Sequence, residues 1–341
     1  MSKAVILGGT GLIGRAVARR LTAAGWDVDV CGRNPAHMPA DLVDGGAAFY
    51  AVDRSDGPAL GRILGNGADL LVDCLAFTAA DAGVLLPFLG RVGSTVMISS
   101  KAVYIDGDGR HVNSETPPRF DGPIFESQPT MAPGNCDYNT RAGYGANKVA
   151  AEQTLLDSGH PVTVVRASKV HGEGAVPARE WVFVKRILDG RRSLFLRNGG
   201  QSVDHTTAAA NLAALIERAA VLPGSRILNS ADPDAPTVLE ISRTIASHLD
   251  HSWAEVPLAR GPHPTAGATP WDTETPIVFD TTAAAALGYV PVGSYAQTVT
   301  DEVDWLVAQS RTGAHANRDD PYFAEFFNYQ AEDELLSALR A

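Results

Sequence analysis

The chain has 341 residues, 45% of them hydrophobic and 20% charged, and its formal net charge is −11. This length and composition suffice for a sizeable core and predict a large domain with a smaller one. The acidic balance argues against a nucleic-acid partner, because a negative surface repels a phosphate backbone. The sequence shows neither a signal-peptide pattern nor an apolar run of membrane-spanning length, so we expect a cytoplasmic protein without a membrane partner.

The three cysteines, Cys31, Cys74 and Cys136, are an odd number and lie far apart in the sequence. This pattern argues against a disulfide framework and favours a reducing compartment. None of them belongs to a CxxC pair, so we expect no structural zinc site and predict no metal ligands.

The beginning of the chain combines a short apolar run, a glycine turn and a helical pattern. Val5, Ile6 and Leu7 have the character of a strand buried on both faces, and apolar residues recur at helical spacing from Leu12. The glycines between them have the spacing of a dinucleotide-binding turn, where they allow a tight turn and the close approach of a pyrophosphate. The cofactor contacts predicted from this motif are Gly8, Thr10, Gly11, Leu12, Ile13 and Gly14. The alternative is a glycine-rich turn without a ligand.

Strands and helices alternate along the first two thirds of the chain. Strands are predicted at 27–31, 47–52, 70–75, 95–99, 161–166 and 226–229. The helical patterns between them predict an α/β fold, a doubly wound parallel sheet of the Rossmann type, whose ligands bind beyond the carboxyl ends of the strands. Further on, we predict a loop at 261–276 and a last helix that starts at Asp320-Pro321 and has an apolar side.

Two strand ends carry residues suited to a dinucleotide. The second predicted strand ends at Gly32-Arg33, where NAD sites usually have an acid for the ribose 2′-hydroxyl. An arginine there can bind a 2′-phosphate, which favours NADP(H), with NAD(H) as the alternative; a solvated surface arginine is the other interpretation. Asp53 can accept a hydrogen bond from an adenine amino group, and Leu75 and Ala76 can line the cofactor cleft. Ordinary packing explains these three residues equally well.

A further set of residues has the pattern of an acid–base site. Ser100 directly follows the fifth predicted strand. Tyr144 and Lys148 are four residues apart, so they share one face of a helix. An ammonium near a phenol favours the phenolate and makes the tyrosine a useful acid or base near neutral pH, although this spacing also occurs by accident on helices. The irregular segment 105–143 lies between them. We interpret it either as a lid or substrate-binding loop or as a surface insertion.

In combination these motifs resemble the short-chain dehydrogenase/reductase superfamily, in its extended branch of NAD-dependent epimerase/dehydratase-like proteins. The resemblance covers about residues 1–310 and includes the later motifs Val165-Arg166, Val170-His171-Gly172, Leu287-Gly288-Tyr289 and Asp304-Trp305-Leu306. It implies that Tyr144 is the catalytic acid or base and that Ser100 orients the substrate oxygen. It also implies that Lys148 lowers the pKa of Tyr144 and hydrogen bonds the nicotinamide ribose.

The resemblance further implies a small-molecule substrate, with a sugar nucleotide as the leading candidate, and it is compatible with a homodimer. Dehydratases of this branch place an Asp-Glu pair after the active-site hydroxyl residue, whereas this chain has Lys101-Ala102, which disfavours water elimination. We therefore expect an NADP(H)-dependent oxidoreductase or epimerase acting on a hydroxyl or keto carbon. The sequence does not separate these two activities. The rival is a non-catalytic dinucleotide-binding regulator or RNA-associated protein on the same fold.

The predicted domains follow from the same motifs. Residues 1–170 form the dinucleotide-binding Rossmann domain with the insertion 105–143, and 171–341 form mainly a smaller α/β substrate domain that returns to the sheet near 203–230. His171 replaces the usual tyrosine at its position and either touches the substrate or packs. Five arginines of this domain either hold an anionic substrate group or are solvated. They are Arg179, Arg186, Arg191, Arg192 and Arg197.

Overall fold

The structure is a computed structural model that describes residues 1–259, 266–312 and 320–340. Part of the loop predicted at 261–276 lies outside this range. The described residues form two compact units. Unit 1 comprises Met1–Ser168, Ala209–Ala231 and Phe279–Val292, and unit 2 comprises the described parts of Lys169–Ala208, Asp232–Val278 and Gly293–Ala341. The sequence did not indicate that a segment as late as Phe279–Val292 would lie in unit 1.

The regular elements follow the predicted alternation. The strands are β1 (Lys3–Leu7), β2 (Asp27–Gly32), β3 (Ala48–Ala51), β4 (Ala68–Asp73), β5 (Val92–Ser100), β6 (Val162–Ala167), β7 (Lys169–His171), β8 (Ser193–Leu196), β9 (Thr206–Ala208), β10 (Arg226–Ser230) and β11 (Ala254–Pro257). The helices are α1 (Leu12–Ala23), α2 (Ala40–Asp44), α3 (Gly57–Leu64), α4 (Ala79–Leu85), α5 (Arg141–Leu156), α6 (Trp181–Leu188), α7 (Ala209–Val221), α8 (Val238–His248), α9 (Thr282–Ala286), α10 (Tyr295–Thr298), α11 (Thr300–Thr312) and α12 (Tyr329–Arg340). Among the helices in the described part of the chain, none combines the length and the apolar character that crossing a membrane requires.

Unit 1 is built on a seven-stranded sheet in the order β10-β6-β5-β4-β1-β2-β3, and all its strand pairs are parallel. Its central strands are buried apolar runs, as a sheet covered by helices on both faces requires. The predicted doubly wound Rossmann fold is confirmed. Because β1 pairs with β2 on one side and β4 on the other, the chain order reverses at β1, and such reversals create the ligand crevice of these sheets.

The end of β4 differs from the prediction. The strand ends at Asp73, two residues before the predicted end at Leu75. The reason is local, because Oδ1 of Asp73 accepts a hydrogen bond from the backbone N–H of Leu75 at 2.8 Å and turns the chain out of the sheet. Leu75 and Ala76 therefore lie in the turn beyond the strand, where a ligand binds in this type of fold.

Unit 2 contains two small parallel sheets, in which β7 pairs with β9 and β8 pairs with β11. Its C-terminal segment is not the single helix predicted from Asp320: a 3-10 helix at Pro321–Phe326 precedes α12. Phe323 and Phe326, three residues apart, share one side of this 3-10 helix and are both buried, which explains the tighter winding. On α12, Leu335 and Leu336 pack against the apolar cluster around Phe195 of the same unit. Leu339, predicted on the apolar side, is exposed.

Candidate active site

The glycine turn after β1 has the shape of an anion-binding site. Gly8 has a φ of +78°, and its N–H donates to the carbonyl of Cys31 at 3.0 Å. A Cβ at Gly14 would clash with the carbonyl oxygen of Gly8, so this glycine lets α1 pack against the turn. A Cβ at Gly11 would meet only one atom, at 3.4 Å, so packing does not require a glycine there. Gly11 also provides no side chain to cap the first turn of α1, whose N–H groups therefore suit a pyrophosphate.

A cavity of about 450 Å³ adjoins this turn, a volume typical of small-molecule sites. Among its lining residues are six of the predicted cofactor contacts: Gly8, Thr10, Gly11, Arg33, Asp53 and Leu75. The predicted contacts Leu12, Ile13 and Gly14 form the first turn of α1, and Gly14 is buried. The structure thus brings the ends of β1, β2, β3 and β4 around one cavity, as the strand-end argument predicted.

Two arginines line this cavity and differ in their partners. Arg54 donates from Nη2 to Asp73 at 2.5 Å and from Nη1 to Asp81 at 3.1 Å, so two carboxylates neutralise it. Arg33 follows β2 and is exposed. Arg33 is therefore the lining arginine that can turn toward a ligand. No sequence motif marked Arg54, because its partners Asp73 and Asp81 are 19 and 27 residues away along the chain.

Asp53 follows β3 in the same cavity. Its Oδ1 accepts hydrogen bonds from the backbone N–H and the Oγ of Ser55 at 2.9 and 2.7 Å. These hydrogen bonds lower the pKa of Asp53, and the nearby charges of Arg33 and Arg54 lower it further. The carboxylate is ionised at neutral pH, and its other oxygen can accept a hydrogen bond from an adenine amino group, as predicted from the sequence.

Ser100 and Tyr144 meet at the carboxyl end of β5. Ser100 is the last residue of the strand, and its Oγ accepts a hydrogen bond from the backbone N–H of Ala102 at 3.2 Å. Burial raises the pKa of Tyr144 above its usual value, and a hydrogen bond from Ser100 lowers it in part. Tyr144 is therefore protonated at neutral pH and can donate a hydrogen bond.

Gly145, next to Tyr144, allows Tyr144 to come close to Ser100. A Cβ at Gly145 would clash with the carbonyl oxygen of Ala102 and lie 2.5 Å from the sulfur of Met131, so α5 packs directly on the turn that follows Ser100. No sequence motif marked Gly145. A glycine inside a helical pattern could have indicated it, because such a glycine destabilises the helix and is usually kept for close packing.

Lys148 lies one helical turn after Tyr144 and is buried. Its Nζ donates to the carbonyl oxygens of Ala76 at 2.8 Å and Ile98 at 3.0 Å, and it lies 4.5 Å from the centre of the Phe77 ring. Ala76, predicted as a cofactor contact, thus holds the lysine through its backbone. Because Ala76 follows β4 and Ile98 belongs to β5, the ammonium is fixed where these two strands end.

Burial lowers the pKa of Lys148 to about 8, although the charges of Asp73 and Glu152 oppose this effect. The group that lowers the pKa of Tyr144 in the structure is Ser100. The expected influence of Lys148 on the pKa of Tyr144 stays a prediction, as does its contact with a nicotinamide ribose.

The segment 105–143 also reaches the cavity. Tyr138 stacks on Phe77 with the ring centres 5.3 Å apart and an angle of 16° between the planes, and both rings line the cavity wall. The segment is anchored before α5, where Nδ2 of Asn147 donates to the carbonyl of Cys136 at 2.6 Å. Nothing in the sequence pattern marked Tyr138, because its partner lies in a different strand-end turn.

The candidates in unit 2 have partners within that unit. His171 is buried; its Nε2 lies 2.9 Å from Oδ2 of Asp232, and its ring centre lies 5.0 Å from that of Tyr295, contacts that favour the packing interpretation. The arginines are likewise held: Arg179 by the Val170 carbonyl, Arg186 by Glu332, Arg191 by Asp333 and Arg197 by Asp272, while Arg192 is exposed. Four of the five therefore already have protein partners.

Residues 4–84 match the model of a family described as the NAD dependent epimerase/dehydratase family. The predicted family resemblance is confirmed over these residues. The matched segment contains the glycine turn, Arg33 and Asp53, and therefore most of the lining of the cavity. Ser100, Tyr144 and Lys148 lie beyond it, so their roles are proposals. A comparison with curated proteins found no match.

About nine tenths of the chain is similar in fold to solved structures. UDP-glucose 4-epimerase from Thermotoga maritima, solved with UDP-glucose, is 18% identical with a TM-score of 0.67, covering 90% of this chain and 99% of that one. dTDP-glucose 4,6-dehydratase from Bacillus anthracis, solved with NAD, is 14% identical with a TM-score of 0.68, covering 91% and 98%. A putative epimerase from Burkholderia cenocepacia is 19% identical with a TM-score of 0.67, covering 89% and 97%. The family match over residues 4–84 agrees with the predicted resemblance, and these three solved structures, each below 20% identity, show that the fold is shared.

Proposed function

We propose that the chain is an NADP(H)-dependent oxidoreductase or epimerase that moves a hydride between nicotinamide and a hydroxyl or keto carbon. The observation that carries this proposal is the convergence of Ser100, Tyr144 and Lys148 at the carboxyl end of β5, in the unit that holds the dinucleotide cavity. A hydroxyl, a protonated phenol and a buried ammonium are the groups that acid–base chemistry at a carbonyl oxygen needs.

Each group has a role that follows from its protonation state. Tyr144, protonated at neutral pH, gives its proton to the substrate oxygen during reduction and takes it back during oxidation. Ser100 orients that oxygen as a second hydrogen-bond donor. The Lys148 ammonium, held by two carbonyl oxygens, stabilises the phenolate that Tyr144 becomes after the transfer. A bound nicotinamide supplies or accepts the hydride.

The preference for NADP(H) rests on the end of β2. The first turn of α1 would hold the pyrophosphate, and Arg33 would bind the 2′-phosphate, since Arg54 is neutralised by carboxylates. A Cβ at Gly32 would lie 3.2 Å from Oγ1 of Thr10, so the acid of NAD sites has little room there. NAD(H) is the alternative, because the similar dehydratase from Bacillus anthracis was solved with NAD.

The proposed substrate is a sugar nucleotide, and we assign its binding to unit 2. The support is the similarity in fold to proteins named for UDP-glucose and dTDP-glucose. Water elimination is disfavoured, because Lys101 and Ala102, which stand where dehydratases of the resembling branch have an acid pair, carry no carboxylate. Homodimer formation and a cytoplasmic location stay predictions.

The test combines cofactor binding with product analysis. The purified chain is titrated with NADPH and NADH, and then incubated with each cofactor and a panel of UDP- and dTDP-hexoses. Net NADPH oxidation identifies a reductase, whereas stereochemical interconversion without net oxidation identifies an epimerase. Binding without any conversion of the panel favours the non-catalytic rival, and absence of binding contradicts the whole proposal.

A further inference from the structure

Unit 2 contains a buried cluster of one histidine and two glutamates that the proposed reaction does not use. His171 ends β7, Glu180 directly precedes α6, and Glu302 lies on α11. One nitrogen or oxygen atom of each side chain lies within 4.8 Å of the other two, and the residues are 2%, 1% and 0% exposed. The fold therefore brings together three ligand-type side chains from distant parts of the chain, away from solvent.

His171 is oriented as metal-binding histidines are. Its Nε2 lies 2.9 Å from Oδ2 of Asp232, which also accepts from Oγ1 of Thr206 at 2.7 Å, while Oδ1 accepts from the N–H of Ala208 at 2.7 Å. With Asp232 as the acceptor, Nε2 carries a proton, so Nδ1 is the ring nitrogen left for another partner. Burial opposes protonation of the ring, but the Asp232 carboxylate raises the pKa of His171, so a metal ion would take the place of a proton on Nδ1. Within residues 1–259, 266–312 and 320–340, this buried Nδ1 has no hydrogen-bond partner. A carboxylate on one ring nitrogen and a metal ion on the other is the usual arrangement of ligating histidines.

The two glutamates need a compensating charge. Oε2 of Glu302 accepts from the N–H of Gly172 at 2.5 Å, whereas Oε1 is buried and has no hydrogen-bond donor among the described residues. Burial, the charge of Glu180 and a hydrogen bond between the two carboxyl groups raise the pKa of Glu302 well above its usual value. Glu180 itself accepts from the Tyr295 hydroxyl at 3.3 Å. Two buried carboxylates this close hold either a shared proton or a cation.

A shared proton accounts for the glutamates but not for the histidine. If His171 is neutral, its Nδ1 lone pair is buried without a donor, and if it is protonated, its Nδ1–H is buried without an acceptor. Either state leaves a buried polar atom unsatisfied, which destabilises the fold. A cation bound by all three side chains satisfies Nδ1 and Oε1 of Glu302 together and balances the two carboxylate charges.

We propose that His171, Glu180 and Glu302 bind one divalent metal ion, and that this ion is Zn²⁺. One imidazole nitrogen and carboxylate oxygens are ordinary zinc ligands, and zinc accepts the low coordination number that a buried site imposes. Mg²⁺ and Ca²⁺ fit less well, because they prefer oxygen ligands and Mg²⁺ usually retains several waters. The ion would join the end of β7, the start of α6 and the helix α11, and so stabilise unit 2.

The test measures metal content and thermal stability of the full, tag-free chain. Zinc is quantified by mass spectrometry in the protein as purified, and again after chelator treatment, dialysis against Zn²⁺ and desalting. We expect about one zinc ion per chain and a rise in Tm when Zn²⁺ is returned to the stripped protein. Glu302→Gln, which keeps the side-chain size, should lose the stoichiometric zinc. His248→Asn is the matched control, since His248 pairs with Asp304 at 2.7 Å in the same unit and should leave zinc content unchanged.

The proposal is overturned if the wild-type chain holds no stoichiometric zinc after either treatment, or if Glu302→Gln keeps the zinc. A higher Tm of Glu302→Gln would likewise contradict it. That result is expected if the two glutamates share a proton and hold no metal ion, because the amide removes the repulsion between the two carboxyl groups. If that variant does not fold, Co²⁺ replaces Zn²⁺ in the wild-type chain, and the visible absorption of a low-coordinate cobalt site must appear. These measurements require no cofactor turnover, so they are independent of the proposed reaction.

Discussion

Lys148 in unit 1 and Lys169 in unit 2 are both largely removed from solvent, but their partners differ. Lys148 donates to two backbone carbonyls, which carry no net charge. The Nζ of Lys169 lies 2.8 Å from a carboxylate oxygen of Asp204 and donates to the carbonyl oxygen of Pro270. Burial lowers the pKa of both lysines, and for Lys169 the Asp204 carboxylate offsets part of that effect. A buried cation paired with a carboxylate mainly contributes to the fold. A buried cation held by neutral oxygens keeps an electrostatic field that can stabilise a negative charge formed in a reaction.

The same contrast holds for other polar groups of the two units. In unit 1 the hydroxyls of Ser100 and Tyr144 bond to each other and leave capacity for a substrate oxygen. In unit 2 the buried Arg186 donates from Nη2 to Glu332 at 2.5 Å and to the Phe326 carbonyl at 2.7 Å. Changes in the first region should therefore affect turnover, and changes in the second should affect stability.

The largest expected effect is that of Tyr144→Phe. Loss of the proton donor should lower kcat by about 10²–10⁴-fold, as is typical for a general acid, with little change in Tm. Stopped-flow or steady-state nicotinamide absorbance measures the loss. Tyr50→Phe removes an exposed hydroxyl of the same unit and serves as the control. Unchanged turnover in Tyr144→Phe would remove the distinction between the two regions.

Glu332→Gln should act on stability instead. It leaves the buried Arg186 without its carboxylate, which should cost about 3 kcal/mol in the free energy of unfolding. Urea denaturation at fixed pH measures this cost, and turnover of the remaining folded protein should be unchanged. The control is Asp333→Asn, because Asp333 pairs with Arg191 from an exposed position and should contribute little. Equal losses in the two variants would contradict the structural role assigned to the buried pair.

Arg33→Ala tests the assignment within unit 1 itself. Loss of charge-assisted hydrogen bonds to a 2′-phosphate should raise the Kd for NADPH by about 10–100-fold and leave that for NADH nearly unchanged. Isothermal titration calorimetry with both nucleotides measures the difference. Arg62→Ala, an exposed arginine outside the cavity lining, is the control. An equal loss of affinity for NADPH and NADH would mean that Arg33 does not bind the 2′-phosphate.

The smallest expected effect is a pH dependence set by Lys148. With a pKa of about 8, its charge is lost as the pH rises through 8, so kcat/KM should fall on the alkaline side, and Lys148→Arg should move that fall to higher pH. Stability should change in the opposite direction. Between about pH 8 and the ordinary lysine pKa of 10.5, the unfolded chain binds the proton more tightly, so the burial penalty of Lys148 fades as the pH rises. A flat profile through pH 9 would show that the ammonium is not required.

The sequence by itself determined the parts of this protein that depend on local spacing. The glycine turn, the alternation of strands and helices, and the shared helix face of Tyr144 and Lys148 follow from steric preferences and periodicities that act over a few residues. The Rossmann sheet and the strand-end position of the cavity follow from them in turn, since parallel strands joined by helices have few arrangements.

Only the tertiary structure decided which side chains can still contact a ligand and which already bind other parts of the protein. The neutralisation of Arg54, the stacking of Tyr138 on Phe77 and the clearance at Gly145 each join residues from separate elements. The same is true of His171 and Glu302, which are 131 positions apart in sequence and meet in one buried cluster (302 − 171 = 131). No spacing rule reaches so far, because such contacts depend on how whole elements pack, and packing is a property of the folded chain rather than of any segment.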